Sequence, residues 1–219
     1  MYRLILFLCL VFLGQGEVKS QDTAIPPSLS EKIELMGMAY TPSEKYSVTY
    51  WEHNFGAYAC EDKDCPLRRL ELIDAKMTHV DNQCKIFILA IAAEYIRYFG
   101  ADRNNRIPKR HPSNYNGIKT DLMRGPHGAA TKQEMKDFDM MLTYYPQDSA
   151  KSYFNADYMV CYPYLMDGKK CDGRFSCGRT ILIGRGGLDI HIYFFLTEEG
   201  ADNFDKYLSD LKKVLWFKE

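Results

Sequence analysis

The usual signatures of chemistry are scarce in this chain of 219 residues. Its five histidines, His53, His79, His111, His127 and His191, fall in no HxxxH, HxH or comparable ligand spacing, so the common metal signatures are missing. No GxSxG, HExxH or EF-hand pattern occurs, and no cysteine sits in a CxxC redox pair or a papain-like surround. No metal, no cofactor and no catalytic residue is therefore assigned. An excess of one charge is also lacking: 28 Lys and Arg face 29 Asp and Glu, a net charge of −1. That balance gives no overall pull toward nucleic acid or anionic membrane. Beyond the opening residues no apolar run approaches the roughly 18 residues that spanning a bilayer needs. "IFILAIAA", Ile86 to Ala93, is short and ends in the charged, aromatic "EYIRYFG". No repeat and no Pro/Gly/Ser linker divides the rest, so residues 21–219 read as a single domain.

What is present begins with "MYRLILFLCLVFLGQGEVKSQD". Arg3 gives a short positive start, Leu4 to Leu13 form an apolar run, and Gly14 with Gly16, or Val18 with Ser20, offer cleavage-compatible small residues. Residues 1–20 therefore read as a secretory signal peptide, which places the protein in the periplasm or outside the cell. Of seven cysteines, Cys9 would leave with the signal, and an even number in an exported chain favours disulfides. "CEDKDC" and "CDGRFSC" each hold two close neighbours. The expected pairs are Cys60–Cys65, Cys171–Cys177 and Cys84–Cys161. A zinc site built from the two close pairs is the alternative, disfavoured by their wide spacing. Cys84 and Cys161 as buried free thiols are another.

Local patterns predict an α+β fold: an antiparallel C-terminal meander packed with helices and stapled by disulfides. "SLSEKIELMGM" predicts a helix starting near Ser30, and "KYSVTYWEH" a strand. Thr78 and Asp81 resemble a capping box that opens a buried helix, "NQCKIFILAIAAEYIRYF", stopped by Gly100. Thr131 and Glu134 form a second such box, followed by Met135, Phe138, Met141, Leu142 and Tyr145 at helical spacing, with Pro146 ending the helix. "DYMVCYPYLM", "RTILI" and "IHIYFFL" read as strands. Thr197 caps a last helix, "EEGADNFDKYLSDLKKVLWF", with Phe204, Tyr207, Leu208, Leu211 and Leu215 on one face.

Two stretches invite a functional reading. "GRGG" at residues 184–187 has the glycines of a phosphate loop, but it leads from strand to strand and so lacks the helix N-terminus such a loop needs; it reads as a hairpin turn. Asp189 and His191 then share a strand face and could pair as a hydrolase dyad. A solvated or partly covered sheet face is the preferred reading, since no nucleophile is recognisable. The second stretch is the long loop at residues 100–130, where periodicity vanishes and Arg103, Arg106, Lys109, Arg110, Lys119 and Arg124 gather with Tyr115, His111 and His127. Loops of this length are often functional. It reads as an ordinary solvated loop, as a surface for an acidic protein partner, or as a site for an anionic ligand near the start of the following helix. The candidate binding residues are Arg106, Arg110, Tyr115, Arg124 and His127.

The ending, "FNADYMVCYPY…RTILIGRGGLDIHIYFFLTEEGADNFDKYLSDLKKVLWF", resembles the C-terminal part of small exported Bacteroidetes-type proteins without assigned activity. The resemblance covers the last third of the chain and carries no catalytic residue. It implies a binding role, because such proteins include neutralisers of antibacterial toxins. The expected function is an exported binding protein acting on another protein, of the toxin-neutralising (immunity) kind, with binding favoured over catalysis. The alternative is a small periplasmic hydrolase or ligand-binding protein for an anionic cell-envelope substrate, using His127, Arg124 and the Asp189–His191 pair. No nucleic-acid partner, no membrane span and no oligomeric state is assigned.

Overall fold

The computed structural model describes residues 27–49, 74–90, 138–166, 168–186 and 188–219. Helix α1 (Pro27–Leu35) leads through Gly37, at φ 66°, into strand β1 (Met38–Tyr40), followed by β2 (Tyr46–Thr49), β3 (Ala75–His79) and β4 (Cys84–Leu89). A 3₁₀ turn (Phe138–Met141), strand β5 (Thr143–Tyr144) and helix α2 (Gln147–Phe154) come next. The C-terminal part holds β6 (Tyr158–Tyr164), β7 (Cys177–Arg185), β8 (Leu188–Leu196), α3 (Glu198–Asp202), α4 (Phe204–Asp210) and β9 (Leu215–Phe217). Seven strands form one antiparallel sheet in the order β2-β3-β4-β8-β7-β6-β5, and β1 pairs with β9 in a small second sheet.

The expected α+β balance is corrected by this arrangement: the protein is mainly β. The described parts of three segments that carry helical signals are strand or tight turn. Thr78–Leu89 is a hairpin, because Asp81 Oδ1 accepts the Gln83 backbone N–H at 2.9 Å and Asn82 takes a left-handed φ of 58°. That bend reverses the chain where a helix would have begun. Ile86 and Ile88 then face one side of the sheet while Phe87 and Leu89 face the other. A short run apolar on both faces has no periodicity by which to tell strand from helix. Of the helix expected before Pro146, residues 131–137 lie outside the described residues; from Phe138 on the chain forms the 3₁₀ turn and β5, and Pro146 instead occupies the N-cap position of α2. At the C-terminus, Lys213 adopts φ 61° and releases Leu215–Phe217 to pair with β1.

Other readings hold. Thr197 Oγ1 accepts the Gly200 N–H at 3.0 Å and caps α3. The "GRGG" stretch is a hairpin turn, with Arg185 opposite Leu188 and Gly186 at φ 58°. Positive φ carries no Cβ penalty in glycine, so the turn closes in two residues.

The sheet buries both faces. On the helical face, Ile190, Ile192, Phe194 and Leu196 of β8 join Ile181 and Ile183 of β7 and the apolar side chains of α1, α2, α4, β1 and β9 in the main core. On the other face, Phe87, Tyr193, Phe195 and Tyr164 pack beneath Met166, Cys171 and Phe175 from the β6–β7 connection. An ion pair between Lys85 and Asp172 fastens that connection, and Lys85 Nζ lies 5.0 Å from the Phe175 ring centre.

This architecture also explains why the staples do not form as expected. Cys84, Cys161 and Cys177 are free thiols. Cys84 on β4 and Cys161 on β6 are separated by β8 and β7. Three inter-strand steps of about 4.8 Å, with a register offset of four residues along the strands, put their Cα atoms well over about 14 Å apart, more than twice the reach of a disulfide. Cys171 belongs to one face of the sheet and Cys177 to the other, so their short sequence spacing brings no meeting. Cys171 is disulfide-bonded, but to none of these three thiols; no disulfide joins two described residues. The Cys60–Cys65 pair lies outside the described residues. In native protein, a maleimide is expected to label half-buried Cys177 well before Cys84 and Cys161. Burial pushes the Cys161 thiol up to about 11 despite the Arg179 cation, which starves it of the reactive thiolate. Mass mapping of time-resolved labelling checks this, and equal labelling of all three would contradict the packing.

Candidate functional site

The sequence-predicted binding residues Arg106, Arg110, Tyr115, Arg124 and His127 lie outside the described residues. Asp189 and His191 are described, and both are corrected from a solvated or partly covered face to a buried one. They are 4% and 5% exposed, in a strand buried along its whole length. The His191 Nδ1 atom lies 3.4 Å from the hydroxyls of both Tyr162 and Tyr193. The alternating pattern of "IHIYFFL" does place Asp189 and His191 on one face, but that face is covered, and a substrate has no approach to the pair from solvent.

A second titratable cluster was not visible in the sequence. His79, 2% exposed, stands at the end of β3. Its Nδ1 lies 2.8 Å from Asp81 Oδ1 and its Nε2 3.1 Å from Asp210 Oδ2. The rings of Tyr46 and Tyr207 meet it edge-on, at centroid distances of 5.1 and 4.9 Å. Lys206 and the Tyr207 hydroxyl both donate to Asp81 Oδ2, at 3.0 and 3.1 Å. Burial pushes the Asp81 carboxyl up, but the Gln83 N–H, Lys206 and His79 outweigh it and hold the group well below the usual carboxylate range. Asp210 stands 131 residues from His79, so no local motif could reveal the cluster. With its imidazole sealed by aromatic edges, the cluster ties the β3–β4 hairpin to α4 and offers no open coordination position. Among the described residues no three of His, Cys, Asp and Glu gather as a metal site would require.

The accessible polar chemistry lies on the outer strands. Helix α2 rests on β6 and β9, and α3 rests on β8. Between them, over β5, β6 and β7, the helical face of the sheet remains partly open: Thr143 and Arg179 are exposed, and Tyr145, Pro163 and Cys177 are half-buried. Arg179 faces this strip between Pro163 of β6 and Phe194 of β8. Its guanidinium carbon lies 4.5 Å from the Phe204 ring centre. Burial pushes the Tyr145 hydroxyl up to about 12, with Cys161 and Asp205 adding to the rise and Arg179 opposing it. At the outermost edge, Met140 is 78% and Tyr144 52% exposed. Neither Arg179 nor Met140 was singled out in the sequence: Met140 falls between the stripe positions Phe138 and Met141, and Arg179 opens the apolar strand "RTILI".

No protein-family model matches the chain, and no match was found among curated proteins or solved structures. No described helix is long and apolar enough to cross a membrane.

Proposed function

We propose that the protein is an exported binding protein that acts by contact with another protein, with toxin neutralisation as its specific form. The observation that carries this reading is the exposed apolar pair at the sheet's outer edge. Met140 and Tyr144 are two of the three large apolar side chains that stand exposed among the described residues, Tyr144 in the short edge strand β5 and Met140 in the 3₁₀ turn that leads into it. Methionine adapts to irregular surfaces, and aromatic residues with arginine supply most interface anchors. An exposed edge strand bearing such side chains is a feature that proteins otherwise suppress. The basic loop, with Arg106, Arg110, Tyr115 and Arg124, would add charge complementarity and a salt-dependent association rate. Burial of Asp189 and His191 weighs against the hydrolase alternative as far as that pair is concerned.

The test is calorimetry of the full exported chain with toxins encoded beside its gene, beside a protection assay in cells. Met140→Asp and Tyr144→Asp are expected to weaken association at least about tenfold, as loss of an interface anchor does, with the melting temperature nearly unchanged. His127→Ala is expected to leave protection within a few-fold of wild type. Loss of all protection in folded His127→Ala, with Met140→Asp and Tyr144→Asp silent, would put catalysis in place of binding.

A further inference from the structure

We draw no further inference here: the strongest candidate, the surface patch formed by Met140 and Tyr144 at the β5 edge of the seven-stranded sheet, belongs to the surface already described, and nothing in the structure shows what covers it.

Discussion

Replacing Phe194 by alanine is expected to cost about 3–5 kcal/mol, the range for deleting a buried aromatic from a core that cannot collapse around the void. Against a total stability of roughly 5–15 kcal/mol for a domain, that leaves the variant close to unfolding. The reason is position. Strand β8 is the fourth of seven in the sheet, and Phe194 is held between Ile86 on β4 and Arg179 on β7. Its ring meets Phe204 edge-on at 5.1 Å, so the void would open beneath α4 and would also loosen the ring on which Arg179 stacks. Urea denaturation checks the loss. Tyr193→Phe, one residue away on the opposite face, is the comparison: it removes a hydroxyl near His191 but no packing volume, so about 0.5–1.5 kcal/mol is expected. Equal losses at the two positions would mean that the helical face is not the dominant core.

The second large effect belongs to His79. Its replacement by alanine is expected to cost about 2–4 kcal/mol, from the vacated volume between two tyrosine rings and the loss of its contacts to Asp81 and Asp210. It should also change how stability responds to acid. The Asp81 carboxyl is held below its ordinary range in the folded protein. A carboxyl depressed by folding adds stability that is present above its unfolded pKa, near 3.9, and is lost as pH falls through the folded value. Wild-type stability should therefore decline as pH drops below about 4. In His79→Ala and Asp81→Asn that decline should be shallower, because the group that opposes protonation, or the titrating group itself, is gone. Denaturation midpoints measured between neutral pH and the acid limit read the slope. An unchanged slope in both variants would remove the His79 cluster as the source of acid sensitivity. Lys206→Met offers a milder control, since its ammonium is half-exposed and exposed pairs contribute about 0–1 kcal/mol.

By itself the sequence determined the local decisions. The alternation in "RTILI" and "IHIYFFL" specified two strands and their core face, the glycines of "GRGG" specified the turn between them, and Thr197 specified the start of α3. Each depends on neighbours a few residues apart, where propensity and pattern act directly. The tertiary structure decided whatever depends on what lies across the sheet or beneath it. "CKIFIL" is a strand because β3 and β8 supply hydrogen-bond partners on both sides, and an apolar run without period cannot announce that. Cys84 and Cys161 remain thiols because two strands separate them, a distance no spacing in the chain encodes. His79 finds Asp210, and Asp189 and His191 lose access to solvent, through contacts made only after the chain has closed on itself. Arg179 reads as one more surface charge in the sequence; its place in line with core isoleucines, with its guanidinium over the Phe204 ring, exists only once β7 lies between β6 and β8 and α4 brings Phe204 to it.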